Sequence, residues 1–495
     1  MRKLNVRLVL ILFAITVVVS GGVHFAHELQ VGRTARFLLT LADRDEADNK
    51  PGDAANSLAR YVHLVPEDTD ALARLGRAQL KLGHYMGALA TLEQVLRREP
   101  EREEERRDIV TAAMRIGRFT DARDHLQQHV LKNHPDDAVS QDLLGQCQAG
   151  LGEYREAAAT FEAVLAAKPE SVETYARLAE LLRGRLERPT DADAVMDQLV
   201  EHNDSSHQAW LLRARYRTQV RALGKVNAEE GGRLVALAAA DARKAVELAP
   251  DDLESLLLAA YLVRRKVPLS PEQKAASEAE GEPGTRAGAA DGEVAANAAA
   301  SADDEARGYL EAGLKAHPAE PALYRALANL EFECGRREAA LEVARRGLQE
   351  LEGDSGLLWT LAELLILDRQ FDAADEAIEK LKTAGGTGAP ADYLAGRLLI
   401  ARGKLAEGSR LLDRLQPKLV DWPDLAKQAD VWAGRCYDQL ERVDDQLSAF
   451  RRAVDADGNW APARLGLAGA LLKIGRFDEA VEECRLAASA DGFPA

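Results

Sequence analysis

Aromatic residues make up only 5% of this 495-residue chain, and cysteine occurs four times. Cys147, Cys334, Cys436 and Cys484 are scattered with no CxxC pair, so zinc ribbons, thioredoxin-like motifs and haem attachment, which all need tight spacing, have no support. Sustained alternation of apolar and polar residues, the mark of a half-buried strand, is missing. So are the loops that cradle phosphates or present a nucleophilic serine: there is no G-x-x-x-x-G-K-[ST] and no G-x-S-x-G, and Gly385, Gly386 and Gly388 do not build a G-x-G-x-x-G after a strand. Basic charge is in short supply too. Lys plus Arg total 64 against 81 Asp plus Glu, a formal net charge of −17, which is the reverse of what phosphate recognition requires. No nucleic-acid partner is expected, and neither is an enzyme, a cofactor or a metal site. His125 and His129 do lie i, i+4 on one helical face with His134 nearby, but residue 126 is Leu where a zinc protease needs Glu, and no carboxylate ligand follows.

What is present is helix. A hydrophobic content of 46%, rich in Ala and Leu, with 17 prolines placed mostly between helical runs, describes an all-α chain. The stretch 141–169, QDLLGQCQAGLGEYREAAATFEAVLAAKP, reads as two helices. Leu144, Gly145 and Gln148 share a face of the first, Gly152 breaks it, and Tyr154, Ala157, Phe161, Val164 and Leu165 form the apolar face of a second that stops before Pro169. A lone helical hairpin cannot bury both faces and must stack on its neighbours. The neighbours exist: Pro66, Pro100, Pro135 and Pro169 follow one another at intervals of 34, 35 and 34.

Gly145, Tyr154, Ala157, Phe161 and Pro169 fit, in order, the small, aromatic, Ala, aromatic and Pro positions of a known repeat, and on them the chain resembles the tetratricopeptide repeat (TPR) family. The small residues have a physical role, because a large side chain at the closest crossing of two helices would hold the backbones apart. Copies before and after carry Leu75, Gly76, Tyr85, Ala88 and Leu92; Gly117, Phe119, Ala122 and Leu126; Tyr324, Leu327, Ala328, Gly335 and Ala340; Gly434, Tyr437, Phe450 and Ala453. The resemblance implies an all-α, right-handed superhelical solenoid of about twelve helix-turn-helix units and an activity of macromolecular binding. Some copies depart from the pattern. The first, residues 35–68, keeps Ala42 and Ala54 and reads as a cap; the fifth has Asn203 where Pro is expected; the tenth has Gly408 in place of Ala. About a dozen residues around Gly224–Gly232 look inserted before a helix Leu234–Leu248.

Three boundaries divide the chain. Residues 1–30 read as a signal-anchor, because Arg2, Lys3 and Arg7 precede an uncharged run from Leu8 to His27 that, at about 1.5 Å per residue, matches a bilayer core. The positive-inside rule then leaves the N-terminus cytoplasmic and the repeats exported, periplasmic or extracellular. The alternative is secretion after cleavage before Gly21, with Val18 and Ser20 at the −3 and −1 sites. Residues 31–266 form an N-terminal array and residues 303–495 a C-terminal one. Between them, residues 267–302 are rich in Ala, Gly and Glu, with Leu269 and Val294 the only large aliphatics, and are expected as a disordered loop between a helix Leu253–Lys266 and a helix Asp303–Ala316.

The resemblance further implies that the first helix of each unit lines a concave groove with its positions 2, 5, 9, 12 and 13. Position 9 holds Arg77, Arg215, Arg397 and Arg435, with Asn329 in the eighth unit and Arg325 at its position 5. An Arg row in an acidic chain suggests a groove for an acidic or carboxylate-bearing peptide. A chaperone-tail clamp is not supported, since Thr360, Pro390 and Leu394 stand where it needs Asn, Lys and Arg. The function expected is a membrane-tethered scaffold or adaptor for protein partners; the alternative is an accessory subunit of an exported enzyme or polysaccharide-secretion complex. At the far end, Val481, Cys484 and Leu486 belong to a last helix that the residues Gly492–Ala495 cannot cover, which suggests self-association or partner docking through the C-terminal repeat.

Overall fold

The structure, a computed structural model, describes residues 27, 29–222, 227–265, 287–384 and 388–489, and among them the regular elements are all helical. They fall into two compact bodies, Met1–Asn203 and Asp204–Ala495. The first holds five helix pairs: α1 (residues 29–47) with α2 (Pro51–Leu64), α3 (Thr69–Lys81) with α4 (Tyr85–Arg98), α5 (Glu103–Arg115) with α6 (Phe119–His125, continued by a π turn Leu126–Val130 and Leu131–Asn133), α7 (Ala138–Gly150) with α8 (Tyr154–Ala167), and α9 (Val172–Gly184) with α10 (Pro189–His202). The second holds seven: α11 (His207–Ala222) with α12 (Ala228–Leu248), α13 (Leu253–Val263) with α14 (Ala287–Ala316), α15 (Pro321–Glu333) with α16 (Arg337–Glu350), α17 (Ser355–Leu367) with α18 (Phe371–Ala384), α19 (Gly388–Ala401) with α20 (Leu405–Leu415), α21 (Pro423–Gln439) with α22 (Val443–Ala456), and α23 (Ala461–Lys473) with α24 (Phe477–Ser489). The first helix of each pair is called A below and the second B.

The punctuation of the pairs is chemical. Four A helices begin on an aspartate, Asp68, Asp137, Asp252 or Asp354, whose carboxylate accepts a backbone N–H from the first turn. Between A and B the chain passes through one left-handed residue, supplied by glycine at Gly83, Gly117, Gly152, Gly335, Gly403 and Gly475 and by Asn49, Glu187, Arg369 and Glu441 elsewhere. B helices end before a proline or its substitute: the Asn203 side chain donates to the carbonyls of Leu199 and Pro169, both at 3.0 Å, and so ties off α10 without proline.

Close approach of A to B explains the small residues. A Cβ on Gly145 would lie 2.6 Å from the Phe161 ring, and one on Gly76 2.6 Å from Leu92. Gly408 is small for the same reason, since a Cβ there would sit 2.6 Å from Ile400 and 3.1 Å from the Gly396 carbonyl. With the backbones this near, Leu58, Leu92, Leu126 and Phe161 in the first body, and Ala344, Ile378, Leu412 and Phe450 in the second, are all buried.

Two expected boundaries move. The helix read as starting at Leu234 begins at Ala228, capped by the Asn227 side chain, which accepts from Glu230 N. The helix read as starting at Asp303 begins at Ala287, so the second half of the expected loop is helical. Alanine, which lacks the bulk to form a core, is the strongest helix former, and the run 287–302 is built largely of it. The remainder of that loop, and the expected anchor up to residue 26, lie outside the described residues; among the described ones no helix is long and apolar enough to cross a membrane.

Candidate functional site

Successive A helices of the second body touch one another directly, α15 with α17, α17 with α19, α19 with α21 and α21 with α23, so residues one repeat apart can stack. They do so over three repeats. Trp359 on α17 and Tyr393 on α19 lie face to face, centroids 5.8 Å apart and planes 5° from parallel. The buried Tyr393 hydroxyl donates to Gln428 Oε1 on α21 at 3.1 Å, and burial raises its pKa. Alongside, Arg397 on α19 is buried between Glu363 on α17 and the ring of Trp432 on α21, 4.9 Å from the ring centre. Arg435, one turn after Trp432, covers the same indole at 5.2 Å and is exposed. Trp432 therefore contacts two guanidiniums. One has its charge met by Glu363; the other has no ion pair among the described residues.

This arrangement can do two things. An exposed guanidinium held over an indole keeps its fork of N–H donors in place for a carboxylate, and the adjoining Trp–Tyr stack offers a rigid apolar step for a neighbouring side chain.

The other residues of the expected row are distributed differently. Arg77 on α3 pairs with Glu104 on α5 at 3.0 Å, and Arg215 on α11 pairs with Glu254 on α13, so both spend their charge between adjacent A helices. Arg325 and Asn329 are exposed one turn apart on α15 without an ion pair among the described residues. Of the six, only Arg397 and Arg435 are brought to one place. The aromatic half was not anticipated, although Trp359 and Tyr393 are 34 residues apart, which is the repeat period itself. The histidines are accounted for otherwise: His125 Nδ1 lies 3.2 Å from the Arg106 guanidinium, burial and that cation lower its pKa, and His134 pairs with Glu103 at 2.9 Å.

Comparison with known proteins gives the same picture. A tetratricopeptide repeat model matches residues 39–100, 73–138, 107–172 and 393–459, and a second tetratricopeptide repeat model matches 148–216. Among solved structures, the chain is similar to yeast Tom70 (14% identity, 93% of each chain covered, TM-score 0.45). It is also similar to the APC/C Cut9–Hcn1 hetero-tetramer (14% identity, 93% of this chain and 94% of that one, TM-score 0.33). MamA of Desulfovibrio magneticus RS-1 is 20% identical over 35% of this chain and 96% of its own, with a TM-score of 0.32. No curated protein matches. The repeated helix pair, its spacing and the matched models together make the chain a member of the tetratricopeptide repeat family, whose members are scaffolds for protein–protein interaction.

Proposed function

We propose that this chain is a membrane-tethered scaffold, its repeats on the exported side of the membrane, which holds an acidic or carboxylate-bearing peptide segment of a partner protein against the A helices α17, α19 and α21. The tether reading is supported by Arg2, Lys3 and Arg7 ahead of the uncharged run Leu8–His27. The observation that carries the binding reading is Arg435, an exposed guanidinium on the Trp432 ring with no acidic partner among the described residues, beside the Trp359–Tyr393 stack. Other arginines of the row already face Glu104, Glu254 and Glu363.

The test is binding of fluorescent acidic peptides to the full chain, read by polarisation at two salt concentrations. Arg435→Glu is expected to weaken the best peptide by about tenfold or more, and Trp432→Ala by a similar factor. Arg77→Glu is expected to leave it unchanged. Equal losses from Arg77→Glu and Arg435→Glu, or no acidic peptide bound at all, would overturn the assignment of the site. The topology is tested separately by a C-terminal reporter active only outside the cytoplasm.

A further inference from the structure

The third residue of each A helix, counted from its N-cap, is buried throughout the chain after the first repeat: Ala71, Ser140, Leu323, Leu357, Ala429 and Ala463 all hold this place. In the first repeat it falls to Phe37, 34 residues before Ala71, and Phe37 is 67% exposed. The opposite side of the joint behaves the same way. In repeat eleven, Val431, Leu447 and Phe450 are buried in one cluster with Ala463 and Leu467 of the A helix that follows. Their counterparts 34 residues on are Leu465, Val481 and Cys484. Leu465 is 40% and Val481 50% exposed, Cys484 is exposed, and Phe477 beside them is 63% exposed.

Every internal joint of the second body is thus made of two faces, and each end repeat leaves the complementary one open. The open faces also differ in charge. Residues 29–42 carry Arg33 and Arg36 and no acid, both exposed and outside any ion pair among the described residues. Helix α24 carries Asp478, Glu479, Glu482 and Glu483 against a single Arg485. We propose that copies of this chain associate head to tail, the α1 face around Phe37 of one chain seating on the α23–α24 face around Val481 of the next, as one more repeat joint formed between molecules. Such a contact is heterologous, so each copy keeps one face free to accept another. It rests on the end faces alone and not on the peptide or membrane readings.

The experiment uses the full chain in detergent, with mass read by light scattering over a range of protein concentrations. The wild type is expected to exceed the monomer mass increasingly with concentration, and Phe37→Glu and Val481→Glu are each expected to run as monomers. An equimolar mixture of the two variants is expected to recover a dimer, because one supplies an intact tail face and the other an intact head face. Both substitutions are at exposed positions, and recovery in the mixture shows that the variants are folded. A second measurement uses Thr40, the counterpart of Gly466, which lies against the Phe450 ring: Thr40→Cys is expected to form an oxidative cross-link to Cys484 of another copy, giving a ladder lost on Cys484→Ser. A monomeric wild type, a Phe37→Glu chain that associates like the wild type, a mixture that stays monomeric, or the absence of a ladder would each overturn the head-to-tail joint.

Discussion

Leu131 donates its backbone N–H to the carbonyl of Leu126, five residues back, and this single π turn is where the chain absorbs the one repeat interval of 35 residues between Pro100 and Pro135. An extra residue in an α-helix would rotate everything after it by about a quarter turn, carrying Val130 off the core face, whereas a π turn takes up the residue locally. Gln127, Gln128 and His129 are exposed on it, while Leu126 and Val130 stay buried. Deleting Gln128 is therefore expected to restore a continuous α-helix and change stability by less than about 0.5 kcal/mol, as for a surface change elsewhere. Deleting Gln94 from the regular helix α4 is expected to cost several kcal/mol, about what a lost core side chain costs. Urea unfolding of the two deletions gives the comparison, and equal losses would contradict the account.

Glu441 occupies, at φ 56°, the left-handed position between α21 and α22 that glycine fills at Gly403 and Gly475. A non-glycine residue there costs about 1 kcal/mol of backbone strain. Glu441→Gly is expected to raise stability by about 0.5–1 kcal/mol, despite the greater freedom glycine gives the unfolded chain. Gly475→Ala is expected to lower it by a similar amount. Thermal unfolding of both variants checks the pair of signs.

These left-handed positions show how far the sequence could be read. Prolines at intervals of 34 and 35, and the succession Gly145, Tyr154, Ala157, Phe161, are local signals of a repeated crossing of two helices, and each side chain has the role its spacing implied. Asn49, Glu187, Arg369 and Glu441 carry no such signal, because the conformation there is imposed by the helices on either side. The arginine row was legible as charge and illegible as an arrangement. Whether Arg77 is free depends on Glu104, which is distant in sequence and adjacent only when one A helix lies on the next. The start of α14 was misplaced because the absence of large side chains was taken as the absence of order, although helix formation needs only a backbone that alanine favours.

The crossing itself gives a third prediction. A Cβ added at Gly145 would fall 2.6 Å from the Phe161 ring, so Gly145→Ala is expected to cost about 1–3 kcal/mol by overpacking, against the gain in helix propensity that alanine brings. Phe161→Leu makes room, and the double variant is expected to lose less than the sum of the two single changes. A double-mutant cycle in denaturant reads this coupling, and strict additivity would mean that Phe161 is not what keeps residue 145 small.

The last prediction concerns pH. Asp430 on α21 is buried, and burial pushes its carboxyl up to about 6 even though the Arg452 guanidinium from α22 donates to it at 2.8 Å. A carboxyl whose folded pKa is raised stabilises the fold in its protonated form: the contribution is complete below the unfolded value of 3.8 and is lost as pH rises through about 6. At about 1.4 kcal/mol per unit, the stability of the wild type relative to Asp430→Asn is expected to fall by roughly 2–3 kcal/mol between pH 3.5 and pH 7. Arg452 works against this loss, since at neutral pH it is the only cation paired with Asp430 among the described residues, so removing it should deepen the dependence: Arg452→Met is expected to be more destabilising at pH 7 than at pH 4. Denaturant titrations of the wild type and both variants across that range provide the measurement. A wild-type difference from Asp430→Asn that stays flat with pH would mean that the carboxyl titrates in its ordinary range and that Arg452 fully offsets its burial.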